Sequence, residues 1–225
     1  MLSASETGAG RRAAARRRSG KTAALLGRAG LAGFVGELFS YPETRPDFAA
    51  AHRAAVQLGR KWSAAVSQLE AQWQRVDRNT LQSEWLRLFS LTPLCSPYET
   101  AQSEDALGKA TVLADVAGFY RAFGLQPDQE MADHIASEMG FAAHLLTKLA
   151  YAQSRGMTEQ AEVTGDAYLG FFGEHLGPFA GRFFTRAQAA AGPFYRGAAG
   201  LGLLLIRELA RATNRGRSRP HNGSG

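Results

Sequence analysis

The sequence predicts an all-α protein, a single-domain bundle of about eight or nine helices. Apolar residues recur at spacings of three and four through most of the chain, which is typical of amphipathic helices. No segment sustains the alternation of apolar and polar residues that strands need, and no Asn-Gly or Asp-Gly hairpin signal lies within the body of the chain. Pro and Gly interrupt the apolar segments at intervals that suit short connections between helices.

The first half of the chain holds three predicted helices. The first begins at Thr22 and ends before Pro42, because proline disfavours helix at the residue before it. A longer apolar stripe follows over residues 48–73. Asp77 or Asn79 can cap the third helix, since a short polar side chain there accepts from a free backbone N–H.

Residues 91–103 interrupt this pattern with two prolines and no helical period, so we expect a loop. Long loops in compact domains are often functional. A helix resumes near Glu104 and ends at Gly124. Pro127 or Asp128 is expected to open the next helix.

Gly156 closes that helix, and three further helices complete the predicted bundle. The first of the three begins at Thr158. The sequences Gly177-Pro178 and Gly192-Pro193 are expected to separate it from a short helix and from a last helix ending near Ala212.

The charge distribution divides the 225 residues into a body and two basic tails. The whole chain has a formal net charge of +6, yet residues 1–28 alone carry +6 and residues 215–225 carry +3, which leaves the body mildly acidic. Residues 1–21 are rich in Ala, Arg, Gly and Ser and cannot form a core. We therefore predict a disordered basic tail over 1–21, a helical domain over 22–213 and a second basic tail over 214–225.

The sequence predicts a cytoplasmic protein without a membrane span. The N-terminal arginines and the following apolar residues lack the continuous apolar segment and cleavage site of a signal peptide, because Arg28 interrupts them. The most apolar stretch elsewhere, residues 198–206, is far shorter than the roughly 20 residues that a spanning helix needs.

Catalytic and metal-binding patterns are missing from the sequence. Cys95 is the single cysteine, which excludes an internal disulfide and a site built from several thiolates. Lys21 and Thr22 resemble the end of a phosphate-binding loop, but Ala15 stands where that loop needs glycine. No Glu has His three residues later, as a di-iron bundle would require. We expect no catalytic residue, no metal site and no cofactor.

Glu130, His134 and Glu138 are spaced four apart, so on a helix they share one face. Two interpretations remain open. In the first, they form an ion-pair ladder whose carboxylates keep His134 protonated. In the second, they form a polar patch that binds a cationic or backbone-rich ligand. One imidazole and two carboxylates make a poor metal site.

Two segments carry a family resemblance. The first is Glu84–Phe89 followed by Pro93–Thr100, and the second is Glu130–Phe141. Together they resemble the TorD/DmsD/NarJ-type family of redox-enzyme maturation chaperones, closest to the branch that serves type II enzymes of the dimethyl sulfoxide (DMSO) reductase family. In that family a helix ending in Arg-Leu-Phe leads into a Pro-rich loop with an aromatic-Glu-Ser/Thr motif. A later helix carries an acidic motif that includes Asp-His.

The resemblance implies a TorD-like fold and a cytoplasmic chaperone, not an enzyme. Such proteins bind the catalytic molybdenum subunit at its twin-arginine leader or unfolded N-terminal part. They delay export and assist insertion of molybdopterin guanine dinucleotide, which belongs to the client. The candidate client-binding residues are Trp85, Arg87, Phe89, Pro97, Tyr98, Glu99, Glu130, Asp133, His134, Glu138 and Phe141.

A leader peptide offers two arginines followed by an apolar stretch, so carboxylates beside an aromatic groove suit it. Glu99, Asp133 and Glu138 are the candidate acids of that groove. The sequence leaves open whether the protein is a monomer or a dimer. The alternative function is nucleic-acid binding through the arginine-rich N-terminal tail, which the acidic body does not favour.

Overall fold

The computed structural model of the protein describes residues 4–90, 92–126 and 132–217. Within these ranges the secondary structure is helical and lacks strands, which confirms the all-α prediction. The α-helices are α1 (Ala4–Phe39), α2 (Phe48–Leu58), α3 (Arg60–Trp73), α4 (Arg78–Phe89), α5 (Ala106–Ala122), α6 (Ile135–Arg155), α7 (Thr158–Phe171), α8 (Gly177–Ala190) and α9 (Pro193–Arg217). A short 3-10 helix (Glu99–Gln102) precedes α5, and a π turn (Phe172–Leu176) joins α7 to α8.

Helix α1 is the centre of the bundle and packs most extensively against α6 and α2. Two glycines allow this close approach. A Cβ placed on Gly30 would lie 2.7 Å from the Cβ of Ala54 in α2, and one on Gly36 would lie 2.9 Å from the backbone oxygen of Ala136 in α6. Any larger side chain at these positions would push the helices apart.

Aromatic rings join the helices that meet beside the C-terminal end of α1. The ring of Phe39 packs edge to face on Phe89 of α4 and on Phe183 of α8, with centroids 5.6 Å and 5.2 Å apart. Tyr195 of α9 completes the cluster against Phe89 at 5.5 Å. Offset and edge-to-face pairs add to the stabilisation from apolar burial, so this cluster fixes α4 and the start of the following loop against the core.

Several helix ends differ from the predicted ones. The structure begins α1 at Ala4 rather than at Thr22, through residues that were expected to form a disordered tail. Alanine and arginine are strong helix formers, so the helix continues N-terminally although residues 15–20 are exposed to solvent. The apolar stripe over 48–73 is divided into α2 and α3 by Gly59, whose φ of 101° is open chiefly to glycine. The division of the chain into one domain and two tails stays a prediction.

The expected break at Gly177-Pro178 does not occur. Instead the chain stays helical through the π turn Phe172–Leu176, and Pro178 occupies the first turn of α8. Proline lacks the N–H that bonds to the preceding turn in an α-helix interior. Because the π turn before Pro178 is wider than an α-helical turn, the chain continues as a helix without that bond. The turn also determines where Glu174 and His175 lie.

One helix in the described part of the chain, Ala15–Phe39, is long and apolar enough to cross a membrane by length and composition. It lies near the N-terminus, and half of its most apolar window is buried inside the protein. That burial comes from packing on α2 and α6, so the segment serves as a core helix here.

Candidate functional site

The two motif segments, distant in sequence, lie side by side in the structure. Tyr98 and His134 form an isolated antiparallel β-bridge. The N–H of Glu99 donates to the carbonyl of Asp133 (3.0 Å), and the N–H of Ile135 donates to the carbonyl of Pro97 (2.8 Å). We call residues 97–100 and 132–138 the motif junction. It attaches the loop after α4 to the start of α6.

Asp133 holds the junction together from inside. Its side chain is buried and accepts a hydrogen bond from the backbone N–H of Thr100 at 2.8 Å. The hydroxyl of Tyr120 on α5 donates to the neighbouring carbonyl of Ala132 at 2.7 Å. Hydrogen bonds to a charged acceptor are stronger than neutral ones, so Asp133 fixes the loop conformation and is not placed to meet a client.

His134 caps α6 rather than lying within a helix. Its Nδ1 accepts from the N–H of Ala136 at 3.1 Å, and α6 begins one residue later at Ile135. Burial lowers the pKa of His134 to about 4, although the charge of Asp133 acts in the opposite direction. Of the two interpretations, the ion-pair ladder required a protonated His134, whereas burial of the imidazole favours its neutral form. Glu130 lies outside the described residues.

Glu138 is the most deeply buried acid of the junction, with a relative exposure of 0%. Burial, and then the charges of Glu99 and Asp133, raise its pKa well above the ordinary value. When ionised, neither of its carboxylate oxygens would have a hydrogen-bond donor. Burial therefore favours the neutral carboxylic acid, whose O–H would be available to donate to Glu99.

Glu99 leads from the junction to a histidine that the sequence analysis missed. Its Oε2 lies 3.1 Å from Nδ1 of His175, whose Nε2 lies 3.3 Å from Oδ2 of Asp115. Burial lowers the pKa of His175, but the hydrogen bond and charge of Glu99, with the charge of Asp115, raise it on balance. His175 follows Phe171 by four residues, so the sequence places this histidine on the apolar face of a helix. That position was the signal that could have predicted a buried histidine.

The aromatic candidates are mainly part of the core. Trp85 and Phe89 share a face of α4 as predicted, with ring centroids 6.0 Å apart. Nε1 of the half-buried Trp85 donates to the carbonyl of Phe39 at 3.0 Å, and Phe89 is buried in the aromatic cluster. Phe141 is buried against Phe171, with centroids 4.8 Å apart. These rings do not form an open groove.

The structure therefore brings six of the predicted site residues into one cluster, the motif junction. These are Pro97, Tyr98, Glu99, Asp133, His134 and Glu138. Pro97 is buried and Tyr98 is half-buried, with its ring 5.1 Å from the ring of His134. Arg87 is exposed and donates to the carbonyl of Ala190 at 3.3 Å.

The outer side of the loop is apolar and basic, in contrast with the acids beneath it. Leu94 is 56% exposed and precedes the buried Cys95. Burial raises the pKa of the Cys95 thiol, while the nearby charges of Arg186 and Arg87 act to lower it. Arg182 hydrogen-bonds to Gln102 of the 3-10 helix. Tyr98, Arg182 and Arg186 line one pocket with Cys95, Leu94 directly precedes Cys95 in the chain, and the charge of Arg87 acts on its thiol. We call these five residues, Arg87, Leu94, Tyr98, Arg182 and Arg186, the loop face.

A comparison with protein families finds a match over residues 53–185 to the family described as nitrate reductase delta subunit. The match covers more than half of the chain and includes both motif segments. The chain belongs to the nitrate reductase delta subunit family. Its members are chaperones of molybdoenzyme maturation that bind a molybdoenzyme catalytic subunit, so the predicted family is confirmed and this delta-family protein is not itself an enzyme. No curated protein matches the chain.

Proposed function

We propose that the protein is a cytoplasmic, system-specific chaperone for the catalytic subunit of a molybdopterin enzyme of the DMSO reductase family. It binds the twin-arginine leader or the unfolded N-terminal part of that subunit. It assists folding and insertion of molybdopterin guanine dinucleotide, and it delays export until both are complete. Family membership over residues 53–185 is the observation that carries this proposal. The chaperone itself needs no cofactor.

The loop face is the surface that we assign to client binding. The motif junction supports this loop from below through the backbone bonds of Pro97 and Glu99. Leu94 and Tyr98 then offer apolar area at a rigid position. Removing apolar surface from water contributes about 25 cal/mol per Å², so a partly unfolded apolar segment would gain affinity here without a matching polar contact.

The buried position of the motif acids changes the predicted mechanism. Asp133 and Glu138 cannot contact the arginines of a leader while the junction is intact, because both side chains are buried. The exposed charged residues of the loop face, Arg87, Arg182 and Arg186, are all positive. The loop face therefore fits the apolar stretch of a leader or of the nascent subunit better than its arginines.

The test is capture of the client from the native host, grown under conditions that induce molybdoenzymes. We expect mass spectrometry of the co-purifying chains to identify one large molybdopterin subunit that retains its twin-arginine leader. Leu94→Ser is expected to reduce that capture. Leu107→Ser is the matched control, since Leu107 of α5 is 78% exposed and lies outside the loop face.

Equal capture by the wild type and by Leu94→Ser would exclude the loop face as the client surface and leave the chaperone function intact. Recovery of nucleic acid without a molybdopterin subunit would contradict the chaperone proposal and favour the alternative function. The observation that favours this alternative is the exposed arginines near the start of α1, which could contact phosphate groups.

A further inference from the structure

Asp115, Glu174 and His175 bring three metal-ligating side chains together at the edge of the motif junction. One ligand atom from each residue lies within 4.8 Å of the corresponding atoms of the other two. Asp115 comes from α5, and Glu174 and His175 come from the π turn between α7 and α8. π turns inside helices occur frequently at functional sites. No local sequence pattern unites these residues, which is why the sequence predicted no metal site.

The imidazole of His175 supplies the second, independent observation. The residue is only 4% exposed, and its buried Nε2 has no hydrogen-bond partner although it lies 3.3 Å from Oδ2 of Asp115. Nδ1 of the same ring lies 3.1 Å from Oε2 of Glu99. In the neutral ring whose Nδ1–H donates to Glu99, Nε2 presents a lone pair to the carboxylates of Asp115 and Glu174, and this is the form that binds a metal ion. In the protonated ring both nitrogens donate, Nδ1 to Glu99 and Nε2 to Asp115, so a metal ion would replace the proton on Nε2.

We propose that Asp115, Glu174 and His175 bind a divalent transition-metal ion, best matched by Zn²⁺, and that Glu99 orients the imidazole. Metal-bound histidines almost always donate their other ring N–H to a carboxylate or a carbonyl, as Nδ1 can donate here to Glu99. Two ligand atoms on a tetrahedral zinc ion lie about 3.3 Å apart, given bonds of about 2.0–2.1 Å. The separation of Nε2 and Oδ2 already matches this spacing.

The chemistry of the ligands selects the metal. Mg²⁺ and Ca²⁺ prefer oxygen ligands alone, whereas an imidazole nitrogen with carboxylate oxygens suits Zn²⁺. The side chain of Asp115 is 59% exposed and Glu174 is exposed as well, so the ion can enter from solvent and keep water as a fourth ligand. A bound ion would join α5 to the π turn and hold Glu99, and through it the loop, in place.

The test is calorimetric titration of the full, tag-free chain with Zn²⁺ alone. We expect one ion per chain. Asp115→Asn and Glu174→Gln should each weaken binding about tenfold or more, and the double variant should lose it. Both side chains are exposed, so these variants keep the fold. Glu159→Gln, which changes an exposed acid at the start of α7, is the matched control and should bind like the wild type.

Two further measurements test the choice of metal and the location of the site. Millimolar Mg²⁺ should not displace Zn²⁺, because the site includes an imidazole nitrogen. His52→Gln should leave zinc binding unchanged, because His52 pairs with Glu70 at a different surface. Absence of zinc binding, or equal affinity in the double variant, would overturn the proposal and assign His175 to a simple ion pair with Asp115. The result does not depend on the identity of the client.

Discussion

The motif junction and the arginine-rich start of α1 differ in where their ionisable side chains lie, buried in the first and exposed in the second. In the junction, burial favours the neutral forms of Glu138 and His134, and Asp133 accepts a hydrogen bond from a backbone N–H. In α1, the side chains of residues 16–18 are exposed to solvent. Polar groups that specify a backbone conformation are thus inside, and those available to a partner are outside. The residues that identify the family are therefore those that shape the loop.

The largest expected effect is that of Asp133→Ala on stability. The variant leaves the N–H of Thr100 without its acceptor and loosens the loop from α6. Breaking such a charged, buried hydrogen bond costs about 3 kcal/mol. We expect the urea midpoint to fall accordingly while the dependence on urea concentration stays the same. An unchanged midpoint would show that the junction does not hold the loop.

His134 should make the protein sensitive to acid. Its pKa is about 4 in the folded state, below the ordinary value near 6.5, so the unfolded chain binds the proton first. This contribution to stability is complete above pH 6.5 and decreases by about 2–3 kcal/mol as the pH falls to 4. His134→Asn keeps a side chain that can cap α6 and should remove that decrease. The comparison needs unfolding curves of both proteins at several pH values.

Glu138 should show the opposite pH dependence, with a smaller effect. Its pKa is raised in the folded state, so its contribution is complete below pH 4.5 and is lost as the pH rises. Glu138→Gln replaces the neutral acid with a neutral amide that can also donate to Glu99. We expect a gain of about 1 kcal/mol at pH 7.5 and none at pH 4. A greater loss at pH 7.5 than at pH 4 would show that the carboxylate is ionised in the fold.

The smallest expected effect is that of replacing Arg16, Arg17 and Arg18 together by glutamine. Exposed substitutions of this kind change the free energy of unfolding by about 0.5 kcal/mol or less. Client capture should also persist, because these residues lie outside the family match. The nucleic-acid alternative predicts instead a steep salt dependence of binding that this variant reduces. An electrophoretic titration at two salt concentrations distinguishes the two outcomes.

The sequence was sufficient for the all-α class and for the shared face of Trp85 and Phe89, because both follow from local periodicity. It was not sufficient for the start of α6, where tertiary contacts hold His134 extended against Tyr98 instead of in a helix. The link from Glu99 to His175 spans 76 residues, and no local pattern carries such a contact. Burial of the motif acids depends on the same long-range packing, so an acidic groove was a reasonable expectation and a different arrangement resulted.

The glycine-lined contact of α1 with α6 has a consequence for synthesis on the ribosome. The side of α1 that carries Gly33 and Gly36 emerges about 100 residues before the part of α6 that covers it, around Ala136 and Ala143. At about 5–20 residues per second, that side waits about 5–20 s for its partner. During that interval the nascent chain presents a segment with the length and hydropathy of a membrane span. Until α6 is made, this side of α1 has no apolar partner from α6, and α2 is the helix already available to cover part of α1.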